Sequence, residues 1–600
     1  MKYLKQLLEL LSKREKRNLV IVLFGVVALG ILELAGIGSI MPFLSVASNP
    51  NLIHTNVYLK KVYDLLGFES LDSFLFGLGI GVILFILISN AMKVLVTYMN
   101  KRYTAMRLHQ LSLRLFRRYL YRPYTFFLNR NTSELMKNIL GEVGMLVDEA
   151  IMPLLEFITA VVVTLLVFVM LLIINPFLAL ITFLAIGIVY SGIFVLVRHR
   201  LDSLGRRRME SNRLRFKKIS EAFGGIKDVK VLGREEYYLN DIRPHSIEFA
   251  RIQVTRAMIE TIPRHTLEVI AFGGILLVIL YMIRTMGNFR DAVPIVGLYA
   301  FAAYRLIPNL RKIFASLTKF RTNIPVVEMI RENLGDWEAE ELRIRALNRE
   351  RYEPLAFNDM LKLDSITFTY PGGDSPVIKA QTLTIKKNTT VGLVGPTGCG
   401  KTTSVDIILG LLKPQEGTFS VDGVEITDGN VYSWRRQIGY VPQHIYLTDE
   451  SVSKNIAFGI PETSIDMKAV EKAAQIANIH EFITSETPTK YQTIVGERGI
   501  RLSGGQIQRI GIARALYHDP AVLVLDEATS FLDGLTEAAI MDAIHELSHK
   551  KTIILIAHRL ATVRECDEIF AMDHGVIIDR GTYKELVERN ERFRTIAQLS

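Results

Sequence analysis

Six apolar stretches, each long enough to cross a bilayer as a helix and all within the first 313 residues, constrain this 600-residue chain more than any other feature. Spanning a hydrocarbon core takes about 20 mostly apolar residues. The stretches run over residues 19–46, 73–98, 151–174, 176–197, 266–283 and 292–313. Nothing of that kind follows. A chain that is 49% hydrophobic and 22% charged is too apolar for a soluble enzyme and too charged to lie wholly in lipid. Two cysteines, Cys399 and Cys566, cannot build a disulfide framework or a four-thiolate zinc site.

Charge follows the same division. Residues 1–350 hold 45 Lys+Arg against 29 Asp+Glu, and residues 351–600 hold 26 against 32. A basic membrane half implies cytoplasmic loops and anionic lipid rather than nucleic acid. Arg107, Arg114, Arg117, Arg118 and Arg122 follow the second stretch, and Arg206, Arg207, Arg208, Lys217 and Lys218 follow the fourth. The opposite loops carry only Lys60, Lys61, Arg284 and Arg290. Both termini and the two long loops are therefore expected in the cytoplasm, where helical periodicity predicts long hairpins broken at Arg122-Pro123 and Gly224-Gly225. Asn175-Pro176 predicts a tight turn, and 57–68 a short external helix. In residues 1–17, Leu4, Leu7, Leu8 and Leu11 share one face among charges, predicting an interfacial helix.

The expected domains are 1–17, a membrane domain over 18–331, a linker over 332–357, and a soluble domain over 358–600 in which strands alternate with helices. Strands are expected at 363–369, 390–394, 521–525 and 552–556. Gly395-Pro396-Thr397-Gly398-Cys399-Gly400-Lys401-Thr402 fits G-x-x-x-x-G-K-[ST] between a strand and a helix starting near Lys401. Its glycines let backbone N–H groups close around phosphate, Lys401 reaches the β/γ-phosphates and the Thr402 hydroxyl suits Mg²⁺; Thr403 follows in the same turn. Ala521 to Glu527 is an apolar strand ending in two carboxylates, Asp526 suited to Mg²⁺ and Glu527 to polarising water as a general base. ATP and Mg²⁺ are the cofactors implied.

Between these motifs lies Leu502-Ser503-Gly504-Gly505-Gln506. With it, the chain resembles the ATP-binding cassette (ABC) transporters over essentially its full length. The resemblance implies an α-helical six-span membrane domain of the type I exporter fold fused to an α/β P-loop nucleotide-binding domain. It further implies that Tyr370 stacks on adenine and that Gln443 senses Mg²⁺. Ser503, Gly504, Gly505 and Gln506 would face ATP held by another subunit, Asp533 would lie in the D-loop, and His558 would be the switch histidine. Phe531 stands where the family usually has alanine. One nucleotide domain with one set of motifs implies a homodimer, with hairpin tips near Glu134, Leu135, Val231 and Leu232 docking partly on the opposite subunit.

Domain order resembles exporters and flippases of a bacterial inner membrane. Ser39 to Phe43, Ser133 to Leu135, Gly141 to Val143, Ile262-Pro263-Arg264 and Tyr304 to Pro308 resemble the PglK-type flippases of lipid-linked oligosaccharides. That family places an arginine in span two, where this chain has Ser89 or Asn90, with Lys93 a turn later. Lys93, Arg264, Arg305, Arg311 and Lys312 could line a cavity for a pyrophosphate-linked headgroup, or snorkel to lipid phosphates. Glu33 and Glu156 lie in apolar spans as protonated structural groups, interhelical glue or part of a path. The alternative cargo is lipid A, a glycolipid or a hydrophobic drug.

Overall fold

The computed structural model describes residues 2–50, 52–65, 67–286, 289–349, 353–527, 534–557, 560–591 and 593–594. The chain divides into two compact units, Met1–Arg122 with Arg130–Ile344, and Pro123–Asn129 with Arg345–Ser600.

The first unit is helical: α1 (Lys2–Glu9), α2 (Lys13–Gly38), α3 (Ile40–Ser48), α4 (Leu71–Leu120), α5 (Met152–Ile174), α6 (Pro176–Gly224), α7 (Glu235–Met286), α8 (Phe289–Thr322) and α9 (Ile324–Leu334). Among the described residues, Lys13–Ser48, Leu71–Leu120, Thr132–Ile174 and Pro176–Gly224 are long and apolar enough to cross a membrane. The other two expected spans fall on α7 and α8, where most side chains from 271 to 296 lie outside the described residues. Fifty residues in α4 reach about 75 Å at 1.5 Å per residue, well beyond a bilayer. The expected long stalks are therefore present.

Local chemistry sets the breaks. Ser12 caps α2 reciprocally with Glu15, donating its N–H to Glu15 Oε2 at 2.6 Å. Between α2 and α3 the chain steps at Ser39, whose hydroxyl donates to Gly36 O at 2.9 Å. Asn175 Oδ1 accepts from Leu178 N at 3.2 Å and Pro176 opens α6, the turn read from Asn-Pro. The short helix expected over 57–68 forms at Val57–Leu65.

Three features were not legible in the sequence. Leu7, Leu10 and Leu11 beside α1 are 1–4% exposed, with α1 packed on α9 and Glu9 paired with Arg331 at 3.3 Å. This apolar face is thus covered by protein. The 332–357 segment is helical over Trp337–Arg349, and the first unit continues to Ile344. Below α5, Lys137–Glu142 and Val147–Ile151 are π-helical turns. Within them Glu142 is fully buried, with Asn212 Nδ2 donating to it at 3.2 Å and Arg208 and Lys137 at 3.7 and 3.8 Å. Glu149 pairs with Arg256. Buried carboxylates need such partners, which periodicity does not reveal.

The second unit holds two sheets. Strands β1 (Met360–Phe368), β2 (Ile378–Lys386), β4 (Glu416–Val421) and β5 (Val424–Glu425) form an antiparallel sheet in the order β2-β1-β4-β5. The other runs β10-β9-β3-β8-β7-β6, made of β3 (Thr390–Val394), β6 (Ile438–Val441), β7 (Val522–Asp526), β8 (Thr552–Ile556), β9 (Glu568–Asp573) and β10 (Val576–Gly581). All its pairings are parallel except β10 with β9. Every residue of β3, β7 and β8 is buried, as befits a parallel sheet covered on both faces. Helix α10 (Lys401–Ile408) follows β3, and α11 (Gly504–Leu516) precedes β7. The four expected strands match β1, β3, β7 and β8 to within a few residues.

Candidate nucleotide site and membrane charge cluster

Sheet register gathers the nucleotide motifs. Leu393 of β3 and Asp526 of β7 both pair with Ile556 of β8. The loop after Val394, the carboxylate after Asp526 and the segment after Ile556 therefore leave the sheet at one level, beyond the carboxyl ends of the strands, where open α/β sheets bind ligands.

Glycine shapes the loop. A Cβ on Gly395 would lie 2.2 Å from Met572 O and 2.7 Å from Cys399 Sγ, and Gly398 and Gly400 have φ of +81° and +105°. Lys401, 5% exposed, folds over this loop and donates to Gly395 O at 2.8 Å and Pro396 O at 3.1 Å. Pro396 and Thr397 complete the turn, and buried Cys399 has its thiol pKa pushed up by burial. Thr402 is exposed, whereas Thr403 is buried, its hydroxyl 3.1 Å from that of Tyr370. A cationic side chain and glycine-lined backbone fit a polyphosphate, and the Thr402 hydroxyl with the Asp526 carboxylate fits a hard divalent cation.

Across the same level, Gln443 Nε2 donates to Glu527 Oε2 at 2.7 Å. Glu527 has φ of +49°, an uncommon conformation for a residue with a Cβ. Its N–H donates to Ile556 O at 3.1 Å, and its carbonyl accepts from Gln508 Nε2 at 3.4 Å. Both ends of the strained peptide are thus fastened. Gln508 was not singled out in the sequence, although it sits two residues beyond Gln506. Nor were Asp406 and Tyr440. Burial, then the Asp526 charge, pushes the Asp406 pKa up to about 6. Tyr440, hydrogen-bonded to Asp526, has its hydroxyl pKa raised mainly by burial. An acid inside the apolar run Val405-Asp406-Ile407-Ile408 was the available signal for Asp406.

Ser503 caps α11 in a reciprocal box with Gln506, Ser503 N donating to Gln506 Oε1 at 2.8 Å and Gln506 N to Ser503 Oγ at 3.3 Å. Ser503 and Gly504 are exposed and Gly505 is half-buried. Among the described residues no hydrogen bond joins 503–506 to 395–403. Asp533, Phe531 and His558 lie outside the described residues. Helix Tyr124–Leu128, at the first expected hairpin tip, belongs to this unit, and Asn129 Nδ2 donates to Pro371 O at 3.1 Å.

Two matches account for most of the chain. Residues 19–304 match the ABC transporter transmembrane region, and residues 378–530 match ABC transporter. The "Heterocyst differentiation ATP-binding protein HepA" of Nostoc sp. is 31% identical over 423 residues, 69% of this chain and 67% of that protein. The chain belongs to the ABC transporter family. An "ATP-dependent lipid A-core flippase" of Aromatoleum aromaticum is 32% identical over 368 residues, 61% of this chain and 59% of its own length. The match thus spans about three-fifths of that relative. A solved bacterial Atm1-family ABC exporter with ATP bound superposes at a TM-score of 0.79, with 21% identity, over 97% of this chain and 98% of that one. The fold is that of a type I ABC exporter.

In the membrane unit, two of the candidate substrate cations meet at one acid. Lys93 Nζ and Arg305 Nη1 both turn to Glu33 Oε1, at 3.5 and 3.7 Å, joining α4 and α8 to α2. Arg311 and Lys312 are exposed on α8, and the Arg264 side chain lies outside the described residues. Glu156 is half-buried. Of the five candidates, Lys93 and Arg305 therefore already share one acid.

Proposed function

We propose that this chain is an ATP-driven homodimeric exporter that moves a phosphate-bearing glycolipid of the lipid A type from the cytoplasmic to the outer leaflet of a bacterial inner membrane. The observation that carries it is the shared level of the phosphate loop, Asp526 and Glu527, in a chain whose membrane unit holds two cations on one buried acid. Lys401 and the loop N–H groups hold the ATP phosphates, and Tyr370 the base. Thr402, Gln443 and Asp526 hold Mg²⁺, which when bound screens the phosphate charge. Glu527 takes the proton of the attacking water, with His558 opposite the γ-phosphate. Among the described residues Ser503–Gln506 makes no hydrogen bond to the loop of its own chain, and a second copy completes each site from across the interface, with Asp533 at the contact. ATP-bound closure favours one membrane arrangement and hydrolysis releases it.

The relatives named as lipid A-core flippases support this cargo over the lipid-linked oligosaccharide expected from short motifs. A polyprenyl-pyrophosphate glycan is the second reading, favoured by Arg305 within the Tyr304 to Pro308 motif. Proteoliposomes test both. ATP-dependent flipping of fluorescent lipid A by wild type, absent in Glu527→Gln, supports the proposal; flipping of only the polyprenyl-pyrophosphate glycan transfers it to the second reading. Healthy ATPase with neither cargo moved removes both.

A further inference from the structure

The cluster at Glu33 has a geometry that a simple structural ion pair would not need. Glu33 is 3% exposed, and its Oε2 has no hydrogen-bond partner among the described residues. The other oxygen is shared by two cations at 3.5 and 3.7 Å, the second beyond hydrogen-bond length. Arg305 Nε is likewise buried without a partner among the described residues, the guanidinium lying 5.7 Å from the Phe301 ring centroid. Side-chain exposure rises from 2% at Glu33 through 12% at Arg305 to 44% at Lys93. The acid is enclosed and the cations become progressively more open, Arg305 less and Lys93 more.

Two cations and one carboxylate leave one positive charge in excess. A phosphate monoester offers Arg305 the bidentate contact that Glu33 does not, and Lys93 a second oxygen.

We propose that Glu33 is an internal counter-anion that a substrate phosphate must displace from Arg305 and Lys93, making Glu33 the residue that sets how much negative charge a cargo must carry. This rests on the phosphate-bearing cargo of the preceding section and adds a residue the cargo never touches. A neutral amphiphile has no means of separating Glu33 from its cations and is excluded on that ground. Glu33 thereby lowers affinity for the anion while raising discrimination against uncharged lipid.

The test uses the full chain in phosphatidylcholine nanodiscs, with equilibrium binding of fluorescent monophosphoryl lipid A and of uncharged monogalactosyl diacylglycerol. Wild type should bind the phosphorylated lipid more tightly. Glu33→Gln, which keeps the shape and removes the competing charge, should lower its Kd by about tenfold, the loss of one competing ion contact. Should that variant fail to fold, Lys93→Gln decides. It should raise the Kd for the phosphorylated lipid by about three- to tenfold while moving that for the neutral lipid less than about twofold. A properly folded Glu33→Gln with unchanged or weaker phosphate-lipid binding overturns the proposal, as does Lys93→Gln weakening both lipids equally. If wild type shows no preference for the phosphorylated lipid, the cargo reading itself falls. If it shows the preference but Glu33→Gln does not tighten binding, only the counter-anion role falls. Competition by phosphatidylglycerol would assign the cations to bulk lipid and overturn a role in cargo selection.

Discussion

Gln443 Nε2 donates to Glu527 Oε2 across 2.7 Å, so the residue two places beyond β6 fixes the orientation of the first residue beyond β7. The backbone of Glu527 is fastened separately, at Ile556 O and Gln508 Nε2. A carboxylate held by Gln443 on a backbone fastened at both its N–H and its carbonyl, at the carboxyl edge of the sheet, is placed for reaction with little reorganisation.

Glu527→Gln should retain ATP binding and lose turnover by about 10²–10⁴-fold, the usual worth of a general base. Nucleotide binding measured beside phosphate release checks this. Normal turnover would assign proton removal to another group.

Gln443→Ala frees one carboxylate oxygen while leaving the backbone fastening intact. Turnover should fall by about tenfold, equivalent to one charge-assisted hydrogen bond of about 1.5 kcal/mol, with little change in unfolding temperature. Rescue by raised Mg²⁺ would show that metal binding, rather than Glu527 orientation, was lost.

Lys401→Ala removes the buried cation that covers the loop through Gly395 O and Pro396 O. ATP affinity should drop by about 10–100-fold, the range for losing a hydrogen-bonded charge. Isothermal titration of the solubilised chain reads this directly, and unchanged affinity would remove Lys401 from the phosphate site.

Gly395→Ala places a methyl 2.2 Å from Met572 O, where backbone rather than a flexible side chain must yield. Overpacking of this kind costs about 1–3 kcal/mol. The thermal unfolding midpoint should fall, with ATP affinity falling alongside it because the loop is displaced from β9.

Asp406 supplies a pH dependence. Its pKa rises from an ordinary 3.8 to about 6 in the folded chain, through burial first and the Asp526 charge second. The folded state therefore holds this proton more tightly than the unfolded state between those values. Stability from this residue is full at low pH, falls as pH rises toward about 6 and stays reduced above it. Asp406→Asn keeps the shape without the ionisation. It should be more stable than wild type above pH 6 and show a shallower dependence between pH 4 and 6. Unfolding midpoints of nucleotide-free protein across that range decide it.

Much of this molecule was legible before folding. Apolar runs of bilayer length, the Asn175-Pro176 turn and the breaks after Arg122 and Gly224 follow from local hydropathy and backbone chemistry. The β3 loop, β7 and β8 follow from buried β-branched runs ending in glycine or acid, because those signals lie within a few consecutive residues. Partnerships between distant residues were not legible. Lys93 and Arg305 read as lining a cavity or snorkelling to lipid phosphates, with no acid partner named, yet both share Glu33, which lies 60 residues before Lys93 in the chain. The π-helical turns holding Glu142 and Glu149, the protein cover over Leu7 and Leu11, and the Gln508 support behind Glu527 share that character. The sequence by itself determined which segments enter lipid, which loop can hold phosphate and which acids stand at the strand ends, since each depends on composition and spacing along the chain. Tertiary structure alone decided which charges are already neutralised, because a low-dielectric interior requires each buried ion to find a partner and places no limit on how far along the sequence that partner lies.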